Sequence, residues 1–133
     1  MNRYLYILSL TFFSCSNIQE CPELDYNSEN NLTTLKNGEK YTGRCIKYKN
    51  GFKRSVQQYV NGVDYGKWVF YFSNGRIETK GKFKNGLRIG KWKYYYESGK
   101  LKQISSYNRK GQRDGKWIEY DESGNILNIL TYE

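Results

Sequence analysis

The sequence predicts an all-β fold, an elongated antiparallel sheet of tandem β-hairpins. A motif of the form G-K-W-x-x-Y-x-x-x-G recurs, in strong and weak copies, every 23 to 25 residues. A period of this size indicates a repeat array. Aromatic and apolar residues alternate with other residues along each motif, which is the pattern of a β-strand. A glycine then follows in a short polar segment, where a tight hairpin turn needs a positive φ.

Three strong units and one weak unit make up the predicted array. In each strong unit a tryptophan, a tyrosine and a second glycine follow the first glycine at the same spacings, and an aromatic residue closes the unit. The predicted structural positions are Trp68, Trp92, Trp117, Gly66, Gly90, Gly115, Gly75, Gly99 and Gly124. The weak unit begins at Gly43 and has Cys45 in the tryptophan position. We therefore predict a repeat domain over 37–133, divided into 37–60, 61–84, 85–109 and 110–133.

Side-chain alternation predicts which residues of a hairpin share a face. In the first strand of the third unit, Trp92 and Tyr94 lie on one face, and Lys93 and Tyr95 lie on the other. In the second strand of each strong unit, the apolar residues Ile77, Leu101 and Ile126 are predicted on the side of the closing aromatics Phe83, Tyr107 and Tyr132.

The N-terminal segment has the character of an export signal. Residues 1–14 contain Arg3 and an apolar run that is too short to span a bilayer, as in a signal peptide. Cys15 follows this run as in the lipobox of bacterial lipoproteins, which predicts its lipidation and an exported, membrane-anchored lipoprotein in the bacterial cell envelope. The alternative is a buried N-terminal strand with an ordinary free cysteine. Residues 15–36 are interpreted as an acidic tether followed by a leading strand within 29–36.

The two remaining cysteines, Cys21 and Cys45, predict a disulfide. Disulfides persist in exported proteins, and two cysteines are the minimum for one bridge. The bond would pin the tether to the weak repeat, where the tryptophan is missing. The alternative is a pair of unrelated buried thiols.

The repeat motif resembles the MORN-repeat variant of bacterial proteins, and it is especially similar to the YwqK family of toxin–antitoxin antitoxins. The resemblance covers residues 37–133. It implies a single layer of hairpins that serves as a scaffold or an interaction surface, without catalytic residues. The apparent export signal departs from a cytoplasmic antitoxin role.

The composition argues against an enzyme. The chain contains no histidine, which excludes histidine-dependent catalytic triads and histidine-containing zinc sites. Three cysteines cannot supply the four ligands of a cysteine-only zinc site. Glu97 and Glu119 could form a general acid–base pair, but no motif marks them, and they are interpreted as solvated strand positions. We therefore expect no catalytic residues, no metal site and no cofactor.

The positive charge of the repeats suggests a surface that binds an anionic partner. Residues 37–109 contain 17 lysine and arginine residues and 4 aspartate and glutamate residues, a net charge of +13. The predicted binding surface consists of solvent-facing tyrosine and lysine side chains, namely Tyr71, Tyr95, Tyr120, Lys67, Lys91, Lys93 and Lys116. Alternatively, the lysines only keep a flat sheet soluble.

Two functions follow from these features. The first is a non-catalytic envelope lipoprotein, a scaffold that binds an unidentified protein or an anionic membrane surface. The second is an antitoxin or immunity protein that binds and neutralises a partner toxin. Nucleic acid is disfavoured as a partner because the predicted export signal removes the chain from it.

Overall fold

The computed structural model describes residues 18–133 and shows an all-β chain. The predicted fold class is confirmed. No helix able to cross a membrane occurs among these residues. The predicted signal peptide at 1–14 and the predicted lipidation site Cys15 lie outside the described residues. The strands are β1 Leu24–Asn27, β2 Leu32–Leu35, β3 Gly43–Lys49, β4 Phe52–Val60, β5 Val63–Asp64, β6 Gly66–Tyr71, β7 Ile77–Lys84, β8 Leu87–Tyr95, β9 Leu101–Tyr107, β10 Gly115–Tyr120 and β11 Ile126–Tyr132.

One large antiparallel sheet contains nine of these strands. Their order is β11-β10-β9-β8-β7-β6-β4-β3, and the short β5 pairs with β4. Almost every strand therefore pairs with its neighbours in sequence, as expected for consecutive hairpins. The four units correspond to the hairpins β3–β4, β6–β7, β8–β9 and β10–β11.

The core is a row of aromatic rings on one face of this sheet, which we call the ring face. Tyr59, Trp68, Phe83 and Trp92 follow one another edge to face, with ring centroids 4.9 to 5.3 Å apart. Such pairs contribute about 0.5–1.5 kcal/mol each beyond their buried area. With centroid separations of 5.3 Å, a second row joins Tyr107, Trp117 and Tyr132. The ring ladder thus replaces the aliphatic core that this sequence lacks.

Each tryptophan is also tied to the preceding unit by a hydrogen bond. The indole N–H groups of Trp68, Trp92 and Trp117 donate at 2.9, 3.2 and 2.9 Å to the backbone carbonyls of Gln58, Lys82 and Ser106. Each accepting residue directly precedes a closing aromatic. The same bond therefore recurs at every junction and satisfies an indole donor that burial would otherwise leave unpaired.

Tight turns join the units. Asn61-Gly62 and Asn85-Gly86 have positive φ at both residues, between 51° and 78°, as type I′ hairpin turns require. The last junction is longer. In it the Asn108 N–H donates to the Gln112 carbonyl at 2.9 Å, which closes the turn that contains Lys110 and Gly111. This turn accounts for the extra residue in the last repeat interval.

The predicted side of Ile77, Leu101 and Ile126 is wrong. A register shift occurs in each strong unit, and it places these residues opposite Tyr71, Tyr95 and Tyr120. Because residues directly opposite in an antiparallel pair share a face, the apolar residues lie away from the ring face. The cause is a β-bulge, which inserts one unpaired residue and interrupts the alternation.

The part of the N-terminal segment that the structure describes folds onto the sheet. The predicted leading strand corresponds to β2, which pairs with β1 in a separate hairpin instead of joining the large sheet. Cys21 and Leu24 pack against the aromatic core. Burial of these side chains explains why this part of the expected tether is ordered.

A short segment, Gln19–Cys21, which we call the strap, runs along the outer side of β3. The Ile46 N–H donates to the Gln19 carbonyl at 2.9 Å, and the Cys21 N–H donates to the Ile46 carbonyl at 2.8 Å. A disulfide joins Cys21 to Cys45, with Cα atoms 4.7 Å apart. The strap therefore covers the edge of the sheet at β3.

Candidate functional site

A basic groove lies on the face opposite the rings, which we call the lysine face. It has a volume of about 390 Å³ and sits at the junction of the second and third units. Its lining consists of Lys67, Trp68, Val69, Lys80, Gly81, Lys82, Ile89, Gly90, Lys91 and Lys93. Five lysines and no acidic side chain surround an apolar floor. We call this site the lysine groove.

Strand register explains why these lysines converge. Lys67 of β6 lies directly opposite Lys82 of β7, and Lys80 of β7 lies directly opposite Lys93 of β8. Opposed residues in an antiparallel sheet have Cβ atoms about 4.5–5.5 Å apart. The two ion pairs found among the described residues, Lys36–Asp25 and Arg54–Glu78, involve none of these lysines. The groove thus holds like charges close together without a neutralising acid.

The opposed pair Lys80–Lys93 occurs only at this junction of the array. The equivalent pair is Val56–Val69 between the first and second units and Ile104–Ile118 between the third and fourth. Both are apolar, so the repeat can form its junctions without charge. Lys80 and Lys93 are therefore not a requirement of the array.

A second cavity continues the lysine groove toward the first unit. Its volume is about 380 Å³, and it shares Lys67, Lys82 and Ile89 with the first cavity. Arg44 and Lys84 add further positive charge to its wall. Together the two cavities form a basic channel across several strands.

The structure brings together only part of the predicted binding surface. Lys67, Lys91 and Lys93 line the groove, whereas Lys116 lies in β10 opposite Thr131, outside it. The two lysines that the sequence analysis missed are Lys80 and Lys82. Their signal was the alternation in the segment T-K-G-K-F-K, which places three lysines of β7 on one face.

The predicted tyrosines lie on the same face but apart from one another. Tyr71, Tyr95 and Tyr120 each end the first strand of a different unit and are half-buried. The Lys53 Nζ is 4.1 Å from the ring centroid of Tyr71, and the Lys80 Nζ is 5.5 Å from that of Tyr95. The rings of Tyr71 and Tyr95 therefore pack beneath lysine side chains, and none of the three tyrosines lines the groove.

The ring face carries a different electrostatic arrangement. The Arg88 guanidinium lies 4.5 Å from the Trp92 ring centroid, and that of Arg113 lies 4.9 Å from the Trp117 ring centroid. The position four residues before Trp68 is Asp64, which burial leaves with a raised pKa. The two arginines thus cover the rings of Trp92 and Trp117, whereas Leu24 of the N-terminal hairpin packs against the core cluster that contains Trp68.

The carboxylates considered in the sequence analysis are exposed to solvent. Glu97 follows β8 in a turn, and Glu119 lies opposite Gln103 in β9. Within residues 18–133, no group of three or more histidine, cysteine, aspartate or glutamate side chains could hold a metal ion. The lysine groove is therefore the candidate site that the structure offers.

Comparison with known proteins identifies the repeat. The MORN repeat variant matches residues 64–85, 88–109 and 113–133. This chain contains three MORN repeats of the variant type. They correspond to the hairpins β6–β7, β8–β9 and β10–β11, while the weak unit at Gly43 lies outside the matched segments. MORN repeats suggest a binding or scaffold role.

Other comparisons add little. The curated proteins contain no significant match to this chain. Among solved structures, the chain is similar to one from the crystal structure of the GtfA/B complex bound to UDP and GlcNAc, with 14% sequence identity and a TM-score of 0.38. The match covers 68% of this chain and 23% of that chain.

Proposed function

We propose that this MORN-repeat chain is a non-catalytic interaction scaffold of the bacterial cell envelope, anchored by lipid at Cys15. Its lysine groove binds an anionic partner, either an acidic protein or the anionic surface of a membrane. The repeat array supports the scaffold role, and the groove supports the charge of the partner.

The observation that carries the proposal is that lysines lie directly opposite each other at two places in the groove, Lys67–Lys82 and Lys80–Lys93. Like charges directly opposite each other destabilise a sheet. Apolar residues avoid this cost at the junction positions equivalent to Lys80–Lys93, and the other hairpins have an uncharged residue opposite the cation equivalent to Lys67. A partner that supplies negative charge offsets the repulsion, and the attraction is strongest where several cations line one concavity.

A charge-reversal experiment tests the groove. We expect Lys80→Glu together with Lys93→Glu to weaken binding to phosphatidylglycerol-containing vesicles, or to a captured acidic envelope protein, by more than about tenfold. Vesicle co-sedimentation and affinity capture from envelope extracts measure the two kinds of partner. The chain used carries Cys15→Ser, so that a lipid anchor cannot contribute.

Lys116→Glu is the matched control, because Lys116 lies on the same face but outside the groove. It changes the charge in the same direction at one site and should retain most of the binding. Equal loss in the control would assign binding to net charge and not to the groove. No binding of the starting chain to either kind of partner would reject the proposal.

The anchor is tested separately by metabolic labelling with a fatty-acid analogue. We expect the label in the unaltered chain and none in Cys15→Ser, because lipidation of a bacterial lipoprotein begins at the thiol of this cysteine. The variant should also leave the membrane fraction. Label that persists in Cys15→Ser would contradict the lipoprotein assignment.

The same capture distinguishes the second candidate function. The resemblance of the repeat motif to the YwqK family favours a toxin-neutralising role. A toxin recovered in a one-to-one complex, together with a growth defect when this chain alone is deleted, would support that role over the envelope scaffold.

A further inference from the structure

The two edges of the large sheet differ. At β3 the strap pairs with the edge and the Cys21–Cys45 disulfide fixes it there. At β11 the described residues place no strand on the outer side. An unpaired edge presents free N–H and C=O groups to any strand that can pair with it. Within residues 18–133, the sheet therefore has one edge covered by the strap and one edge, at β11, without a paired strand.

The β11 edge is also apolar on both faces. Its exposed side chains, with exposed fractions from 47% to 64%, are Ile126, Leu127, Ile129 and Leu130. End repeats of such arrays usually carry a polar outer face that keeps them soluble. Native edge strands are commonly protected by charge, proline or a covering segment. β11 contains no charged residue and no proline.

The sequence of β11 disfavours a further tryptophan repeat as its occupant. Leu130 occupies the register position that holds Gly81 in β7 and Ser105 in β9, opposite the motif tryptophan. The next unit's tryptophan packs on that position, since even a Cβ added at Gly81 would come within 2.2 Å of the Trp92 ring. A leucine side chain leaves no room for a ring packed as Trp92 packs on Gly81, although β4 holds Gln57 at the equivalent position beside Trp68.

Junction register shows how a strand would pair with β11. Each junction of the array contains the same row of paired residues, which at the last junction joins Ile104 of β9 to Ile118 of β10. Ile118 pairs in turn with Ile129. A strand added at β11 in the repeat's own geometry would therefore meet Ile129. If that strand were a second β11, the row would continue as Ile129–Ile129 and then symmetrically into the second copy.

Charge opposes a second copy less at this end than at the strongly basic units. Residues 110–133 contain 3 lysine and arginine residues and 5 aspartate and glutamate residues, a net charge of −2. The strongly basic units lie farther away, so two copies that meet at β11 keep their basic regions apart. The strap closes the β3 edge, and head-to-tail growth from β11 to β3 is blocked.

We propose that β11 is a homodimerisation edge, at which two copies pair antiparallel with Ile129 on the two-fold axis. The assembly is closed because the two-fold pairing uses the β11 edge of both copies and the strap covers the β3 edge. A single strand pair buries little area, so the dissociation constant is expected to be on the order of micromolar. This inference is independent of what the lysine groove binds.

Sedimentation over a concentration series tests the dimer. Ile129→Lys should raise the dissociation constant by about 100-fold, because two lysines would face each other across the axis and two buried isoleucines would be lost. The substitution suits the fold, since Lys80 occupies the equivalent position in β7. Ile46→Lys makes the same change at the strap-covered edge and should leave the dimer intact.

Cysteine cross-linking tests the register in a Cys15→Ser background. Ile129→Cys should give a disulfide-linked dimer, since paired Cα atoms on the axis lie within disulfide range. Ile126→Cys is the control: it is 55% exposed, but three residues from the axis the two copies of this position lie about 20 Å apart. A monomer at all concentrations, an unaltered dimer in Ile129→Lys, or equal cross-linking of both cysteines would overturn the proposal.

Discussion

Trp92 is completely buried because the residue beneath its ring has no side chain. A Cβ built at Gly81 would lie 2.2 Å from Cδ2 and 2.3 Å from Cε2 of this ring. The backbone of Gly81 does not adopt a positive φ, so glycine is needed here for space and not for conformation. The glycine motif of the array thus includes a packing position besides its turns.

Gly81→Ala should lower the free energy of unfolding by about 1–3 kcal/mol, the usual cost of overpacking a well-packed site. Urea unfolding followed by tryptophan fluorescence measures it. In a Trp92→Phe background the same substitution should cost less, because the smaller ring leaves room. An equal cost in both backgrounds would show that the indole is not responsible.

At the scale of elements, alternation predicted the first strand of each hairpin but not the second. Trp92 and Tyr94 share the ring face, as their spacing indicates. The second strand contains the bulge, and the residues at the bulge, among them Glu78 and Lys102, are of no common type. The interruption therefore left no mark in the sequence, and the side predicted for Ile77 was wrong.

The strap is the element whose removal we expect to cost most. The Cys21–Cys45 bond closes a loop with a sequence separation of 24, which corresponds to about 3 kcal/mol of stability in the chain-entropy account. The double substitution Cys21→Ser and Cys45→Ser should lower the free energy of unfolding by that amount. Denaturant unfolding measures it.

Reducing agent provides the control for this prediction. It should destabilise the unaltered chain to the level of the double variant and leave the variant unchanged. If the unaltered chain is as stable with reducing agent as without it, the strap is held by its hydrogen bonds and packing and not by the disulfide.

At the scale of the whole molecule, the sequence predicted the array but only part of the site. Periodicity fixes the number and order of hairpins, because each unit repeats the same packing. Lys67, Lys91 and Lys93 were predicted since they stand beside motif residues. Lys80 and Lys82 were missed because their role depends on which residues of neighbouring strands lie opposite each other, and a bulge between them alters that register.

The turns absorb every difference in length between the units. The first hairpin has a shorter Asn50-Gly51 turn, the last junction has a longer one, and the junction pairs Val56–Val69 and Ile104–Ile118 keep the same register. A duplication of the second or third unit in the coding DNA would therefore restore a junction of the same register without compensating changes. The array can lengthen in a single recombination event, so its reach is open to selection independently of its packing.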